Sequence, residues 1–374
     1  MTASVSGRFI GLMSGTSLDG VDAVLVDFAA DGTPRLLGHA TCELEPALRA
    51  ELLALNTSGP DELHRASLAA NGLVRTYAQV VQDLLQTTGT SASSIVALGA
   101  HGQTVRHRPQ AFDGTGYTTQ LNNPALLAEL TGITVVAEFR TRDVAAGGQG
   151  APLAPGFHQG VFGHPAGTVG VLNLGGISNI SLLRTSGDVL GFDCGPANAL
   201  MDFWCHRHTG QLYDAAGAWA ATGQVIQALL AQMLAEPFFA QQPPKSTGRD
   251  LFNPEWLEQH LAQWSEAAPQ DVQATLLELT AISCINELQR LAPDAVELIV
   301  CGGGAYNTQL MQRLQALAPN VPVHSSEARG IAPLQVEAAA FAWLARQCLS
   351  HLPGNLPSVT GAKGDRVLGA IYPA

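Results

Sequence analysis

Phe9-Ile10-Gly11-Leu12-Met13-Ser14-Gly15-Thr16-Ser17-Leu18-Asp19-Gly20 is the stretch on which the fold turns. An apolar run from Phe9 to Met13 enters a polar, glycine-bracketed turn at Ser14 to Gly20, after which Val21, Ala23, Leu25 and Val26 resume an extended pattern. That is a β-hairpin. The same grammar returns in the second half, where Thr168 to Leu172 is extended, Asn173-Leu174-Gly175-Gly176-Ile177-Ser178-Asn179 turns, and Ile180 to Leu183 goes back. Two such hairpins, each opening a domain-sized block, predict a duplicated unit with one phosphate-facing turn per lobe.

The composition agrees with an α/β protein of two domains. At 374 residues and 46% hydrophobic the chain exceeds the size at which one core usually stops growing. Its 39 glycines and 13% charged residues suit close-packed layers joined by tight turns. A net charge of -12 without any Lys/Arg run excludes nucleic acid as a partner. It does not exclude a nucleotide, because backbone N–H groups and a cation neutralise phosphate locally. The six cysteines form no CxxC pair, as reduced thiols of a cytoplasmic protein would. Neither an export signal nor eighteen consecutive apolar residues occurs, so no membrane is expected.

Periodicity places a helix over Glu62 to Gln86 with Gly89 as its stop, then a strand from Ile95 to Gly99 that delivers His101-Gly102-Gln103-Thr104 to a loop. After Asp193, helices are expected at Ala197 to Thr209, Val225 to Leu234 and Val272 to Leu291. Glu297 to Val300 reads as a buried strand ending in Cys301-Gly302-Gly303-Gly304, and Leu334 to Leu349 as a helix. Pro353 to Pro357 reads as a crossover, and Val359 to Tyr372 as a short return. The expected division is residues 1–143 plus 355–374 for one lobe and 144–354 for the other, with a nucleotide cleft between.

No Gly-x-x-x-x-Gly-Lys-Ser/Thr is present, since Lys245-Ser246-Thr247 lacks the preceding glycines, and no Gly-x-Gly-x-x-Gly occurs. The turn Gly15 to Gly20 combines glycines that let backbone approach oxyanions with two hydroxyls, and with Asp19 to orient Mg²⁺ and its waters. Taken alone it is equally an ordinary polar hairpin turn. Asn173, Gly175 and Gly176 alone fit a strand end whose glycines avoid a clash. Gly302, Gly303 and Gly304 offer a surface on which adenine or ribose could lie. Together the three turns describe a nucleotide site.

Asp193, between apolar residues and a turn, reads either as a general base or as a helix N-cap. The run Arg140-Thr141-Arg142-Asp143 is either a substrate clamp or a solvated ion-pair cluster. Glu337 is either a sugar-hydroxyl acceptor or an exposed helix carboxylate, and His101 either a substrate contact or a structural histidine. Cys205, His206 and His208 lack the second ligand cluster that zinc sites use.

With these residues in view, the chain resembles the anhydro-N-acetylmuramic acid kinase family of the actin and sugar kinase superfamily. The motifs that carry the resemblance are Gly11 to Asp22, His101 to Val105, Arg142 to Leu153, Asn173 to Asn179, Phe192-Asp193, Lys245 to Arg249, Cys301 to Ala305 and Glu337 to Leu344. It covers essentially the whole chain. The resemblance implies two actin-like (ribonuclease H-like) lobes, ATP with Mg²⁺, and a homodimer. It implies conversion of 1,6-anhydro-N-acetylmuramic acid with water to the 6-phosphate during peptidoglycan recycling. Gly15, Thr16, Ser17, Leu18, Asp19, Gly20, Val21 and Asp22 would surround the ATP phosphates and Asp193 would activate water. The residues expected on the sugar are His101, Gln103, Arg142, Asp143 and Glu337. Family members commonly carry Asp-Thr-Gly-Pro-Gly-Asn where this chain has Asp193-Cys194-Gly195-Pro196-Ala197-Asn198, and Ala-Asp-Phe-Arg where it has Ala137-Glu138-Phe139-Arg140. Thr119-Gln120-Leu121-Asn122-Asn123 stands for the usual Leu-Gln-Ile-Gly-Asn.

Overall fold

The computed structural model describes residues 5–15, 18, 20–164, 166–248 and 251–374. Thr16, Ser17 and Asp19, expected at the phosphates and Mg²⁺, therefore lie outside the described residues. The strands are β1 (Gly7–Ser14), β2 (Gly20–Phe28), β3 (Pro34–Glu43), β4 (Ile95–Ala100), β5 (Gln103–Pro109), β6 (Gly116–Leu121) and β7 (Val135–Ala137). They continue with β8 (Thr168–Leu174), β9 (Ile177–Leu183), β10 (Val189–Pro196), β11 (Ala295–Cys301), β12 (Val323–Ser325) and β13 (Ala370–Tyr372). Four helices matter most here: α1 (Glu62–Thr88), α2 (Asn198–Thr209), α3 (Pro269–Leu291) and α4 (Val336–Leu349).

One sheet runs β13-β7-β4-β1-β2-β3 and another β10-β9-β8-β11-β12, while β5 and β6 form a separate ribbon. In the first sheet β1, β2 and β3 are successive antiparallel neighbours, β4 lies parallel to β1 on its other side, and β7 parallel to β4. The second sheet repeats this wiring, with β8, β9 and β10 antiparallel, β11 parallel to β8 and β12 parallel to β11. This is the duplicated ribonuclease H-like topology that the paired hairpins predict. The second turn is tighter than expected. Strand pairing runs through Leu174 and Ser178, leaving Gly175, Gly176 and Ile177 at the tip, with Ile177 paired to Pro196 of β10.

Helix α1 forms because Leu73, Val74, Tyr77, Val80, Val81 and Leu84 recur on one face, and it stops at Gly89, whose φ of 61° a side chain would resist. The second core gathers α3 residues such as Leu276, Leu279 and Leu288 against Leu172, Leu182 and Val300 of the sheet. Each such side chain contributes about 1.5–3 kcal/mol when fully buried.

The compact units are residues 1–161 with 335–374, and residues 162–334. They differ from the expected boundaries because α4 and the segment before Phe162 pack with the first sheet. The Phe157 and Trp343 rings meet at 6.4 Å, and α4 lies on β1 and β4. The contact is made backbone to backbone. A Cβ on Gly11 would stand 2.7 Å from Ala342 N, and one on Gly99 2.7 Å from the Phe341 carbonyl carbon. Neither atom can retreat without moving the helix.

Gly99→Ala should accordingly destabilise the protein by about 1–3 kcal/mol, the usual cost of overpacking. Thermal denaturation reads this as a lowered Tm, and an unchanged Tm would show that the helix can shift freely.

Candidate active site

In the first unit, the end of β1 and the start of β5 are stitched together. His101 N donates to Leu12 O at 3.0 Å, and the Ser14 hydroxyl donates to Gln103 Oε1. Gly102 N donates to the phenolic oxygen of Tyr77 at 3.1 Å. The first turn is closed by Leu18 N donating to Gly15 O at 3.2 Å. Leu18 and Val21 bury their side chains in the core, so each has only its backbone to offer a phosphate. Gln103 is likewise buried, and its amide oxygen is engaged by Ser14.

His101 Nε2 accepts from Arg140 Nε and Nη2 at 3.3 and 3.0 Å, and its ring lies 4.7 Å from that of Phe341. A guanidinium only donates, so the imidazole is neutral with its proton on Nδ1. Burial, reinforced by Arg140, pushes the histidine down to about 3. The same ring fixes Arg140, whose Nη1 also donates to Gly150 O at 2.9 Å. Burial pulls Arg140 down to about 10 against the opposing influence of Glu337 and Asp143. Glu337, in the first turn of α4, remains open to solvent. Desolvation by surrounding protein raises its carboxyl, Arg140 counteracts this, and Asp22 adds to it. Arg140, Glu337 and Asp22 therefore share one electrostatic field.

Asp143 is a different case. Its carboxylate is 0% exposed and is consumed internally: Oδ1 accepts from Asn355 Nδ2 at 2.7 Å and Thr360 Oγ1 at 2.8 Å, Oδ2 from Gly150 N at 2.8 Å. The direct sugar contact expected of Asp143 is not available to it in this structure. It anchors the Gly150 loop, whose carbonyl holds Arg140. Arg142 is exposed and donates to Val367 O at 3.1 Å. The cation whose charge acts on Glu337 is Arg140, which the sequence showed in a charge run and in the Ala137-Glu138-Phe139-Arg140 motif, with no substrate role assigned to it individually.

In the second unit, the β8–β9 tip sits on the first turn of α2. Gly175 O accepts from Asn198 N at 2.9 Å, and Gly176 O from Ala197 N and Ala199 N at 3.0 and 3.1 Å. Asn198 Nδ2 reaches Leu174 O at 2.9 Å. With the tip carbonyls turned inward, the N–H groups of Gly175 and Gly176 have no backbone acceptor among the described residues. That is the polarity an oxyanion requires. Asn173 lies at the end of β8, where the Cys301 thiol reaches its Oδ1 at 3.9 Å. The glycines after β11 have distinct causes. A Cβ on Gly302, at φ 78°, would stand 2.8 Å from Leu174 O, and one on Gly304 2.5 Å from Leu174 Cβ. Gly303 alone is exposed, with bare backbone to present.

Asp193 lies within β10 beside a bulge that separates it from Gly195, so it is a strand residue rather than the N-cap of α2. Its N donates to Lys245 O at 3.2 Å and its Oδ2 accepts from Thr247 N at 2.9 Å. Burial raises the carboxyl despite hydrogen bonds from Thr247 N–H and the Ser246 hydroxyl and the charge of Lys245, which lower it. A carboxylate held by two donors yet destabilised by burial is poised to take a proton. The sequence showed Thr247 as part of a failed phosphate-loop motif and of the Lys245 to Arg249 stretch that carries the resemblance, without pointing to Asp193.

Among the described residues no group of three or more His, Cys, Asp or Glu is arranged to hold a metal ion, and no helix is long and apolar enough to cross a membrane. Asp19, the expected Mg²⁺ partner, lies outside the described residues.

Two lobes of one topology, each with a glycine-bearing hairpin, and a strand-borne carboxylate fit a carbohydrate kinase, the class to which the chain's relatives assign it. The chain belongs to the anhydro-N-acetylmuramic acid kinase family, whose model matches residues 7–374. An anhydro-N-acetylmuramic acid kinase of Variovorax paradoxus is 63% identical over 98% of this chain and 99% of its own. That of Albidiferax ferrireducens is 60% identical over 99% of this chain and 100% of its own. A ROK family glucokinase from Streptomyces griseus, solved with glucose and AMPPNP, aligns with a TM-score of 0.43 and 16% identity over 91% of this chain and 100% of that one. The assignment rests on the family model and the close relatives.

Burial of neutral imidazoles sets a pH dependence of stability. His101 and His158 are both pushed to about 3 in the folded protein, against about 6.5 unfolded. Below pH 6.5 the unfolded chain binds protons that the native state refuses. Stability therefore falls as pH drops from 6.5 toward 3, by on the order of 2 kcal/mol per histidine at pH 5. Chemical denaturation at pH 7 and pH 5 checks this, with His158→Phe expected to flatten the slope. Equal stability at both values would contradict the burial.

Proposed function

We propose that this protein uses ATP and water to convert 1,6-anhydro-N-acetylmuramic acid to N-acetylmuramic acid 6-phosphate and ADP, with Asp193 as the base. Water attacks the anomeric carbon and gives its proton to Asp193, the C1–O6 bond breaks with its electron pair leaving on O6, and O6 forms the new bond to the γ-phosphorus. The bond from that phosphorus to the β-phosphate bridging oxygen then breaks to release ADP. The observation that carries this reading is the Asp193 carboxylate, aligned by Thr247 N–H and raised by burial. A water nucleophile needs such a base, and one is worth ~10²–10⁴ in rate.

The remaining roles follow from the polarity of each part. The N–H groups of Gly175 and Gly176, which lack a backbone acceptor among the described residues, suit the phosphates, as does the backbone from Gly15 to Asp22, and the exposed Gly303 suits the adenosine. Asn173 at the strand end supports this turn. Arg140 and Glu337 suit the sugar, one donating to an oxygen with developing charge and the other accepting from a hydroxyl. His101 holds Arg140 in place. Mg²⁺ would arrive with the phosphates and neutralise their charge, with Asp19 as the side chain that orients its waters. We place the enzyme in the cytoplasm as a homodimer, which sedimentation of the purified protein would check.

The test supplies Mg·ATP and the anhydro sugar in ¹⁸O water. One heavy oxygen per turnover should appear at the anomeric position of the phosphorylated product; unlabelled product would mean simple transfer to a hydroxyl. Asp193→Asn should lower kcat by ~10²–10⁴ while ATP binding by calorimetry persists. A base acts only when deprotonated, so kcat/KM should rise with pH through a limb above the ordinary carboxylate range. Retention of most of the parent rate in Asp193→Asn would remove Asp193 from the mechanism.

A further inference from the structure

Lys245 has a 0% exposed side chain, and Glu287 of α3, at 6%, receives its ammonium at 2.8 Å. Lys245 Nζ also donates to Phe238 O at 3.4 Å and stands 4.7 Å from the centre of the Phe238 ring. The second oxygen of Glu287 accepts from Arg290 Nη2 one helical turn on. Burying one ammonium and one carboxylate costs several kcal/mol per ion, and replacing such a pair by apolar side chains is often neutral or stabilising. Stability alone is a poor reason for its presence.

What the pair fixes is the backbone around it. Lys245 O accepts from Asp193 N at 3.2 Å, and two residues on, Thr247 N donates to Asp193 Oδ2 at 2.9 Å. The segment 245–247 thus grips Asp193 at both its backbone and its carboxylate. The Lys245 side chain ties the segment to the rest of the unit, reaching past Phe238 and Phe192 to Glu287. A hydroxyl or apolar anchor would hold the strap without a directed charge–charge contact. An ion pair with a ring on its flank sets one distance.

We propose that the buried Lys245–Glu287 pair is a positioning device that sets the angle and reach of the Asp193 carboxylate through Thr247, with Arg290 holding Glu287 in register. The inference rests on Asp193 acting as the base. Lys245 and Glu287 touch neither sugar nor nucleotide in this role. Their loss should move kcat and leave KM for ATP where it was, because misplacement of a reacting group by about 1 Å can cost ~10²-fold.

Lys245→Met alone would strand the Glu287 charge and risks unfolding, so the informative variant is Lys245→Met/Glu287→Leu, which keeps volume and removes both charges together. Glu287→Gln, nearly isosteric, is made in parallel as the milder perturbation. In whichever variants fold, judged by circular dichroism and Tm, kcat should fall about 10–100-fold with KM for ATP within twofold. Adding the double substitution to Asp193→Asn should cost nothing further, since a device that acts through Asp193 has nothing left to position. A folded variant with kcat within twofold of the parent overturns the proposal, as does a full additional loss in the Asp193→Asn background. Failure of the underlying reading looks different: Asp193→Asn itself would then retain the parent rate.

Discussion

The separation between α4 and the first sheet is the constraint from which the first lobe's site is built. Gly11 on β1 and Gly99 on β4 leave no room for a side chain, and the helix answers with Ala338, Ala339, Ala342 and Ala345. Such contact loses the area that Leu or Phe would bury but gains precision, because backbone atoms cannot change rotamer. It fixes the register of helix against strands. Glu337 is carried by the first turn of that helix, His101 follows directly from β4, and Ser14 ends β1. Three segments of the candidate site are therefore located by one packing contact.

The charges of that lobe form a relay of supports. Asp143 accepts from Gly150, Asn355 and Thr360, Gly150 offers its carbonyl to Arg140, and Arg140 is braced again by the neutral His101. The imidazole must stay uncharged for this to work, and burial ensures it. A lysine in place of Arg140 would keep the charge and lose the fork that bonds a ring nitrogen and a carbonyl at once. The second lobe solves the same problem with different parts. Asp193 is gripped by a strap, and the carbonyls of the β8–β9 tip are held by the first amides of α2.

Much of this was legible in the chain. The two hairpins announced themselves because a glycine-bracketed polar tip between apolar runs has few other meanings, and Gly89 ended α1 as its position demanded. The reading was weakest where side chains meet over long sequence distances. Nothing local separates Asp143 from Arg140 in Arg140-Thr141-Arg142-Asp143. Only the arrival of Asn355 and Thr360, more than two hundred residues later, turns one into a buried anchor and leaves the other facing Glu337. The unit boundaries escaped for the same reason, since the periodicity of α4 says that it packs but not against which sheet. Gly302 and Gly304 are a subtler case. They look like ligand-facing glycines, yet Leu174 gives each a sufficient packing reason, and Gly303 between them has none.

That contrast bears on how glycine should be weighed as a functional signal in this fold. A glycine forced by a neighbour is silent about ligands, because the structure would demand it even if nothing ever bound. Gly11, Gly99, Gly302 and Gly304 are of this kind. A glycine with open space on its Cβ side and an amide without an internal acceptor is under no such compulsion. Gly175 meets nothing closer than 3.6 Å, and Gly303 nothing closer than 3.5 Å. In the second lobe these two, one at the hairpin tip and one after β11, are where the chain leaves backbone uncovered without structural cause. Under the proposed function, a nucleotide would supply the cause that packing does not.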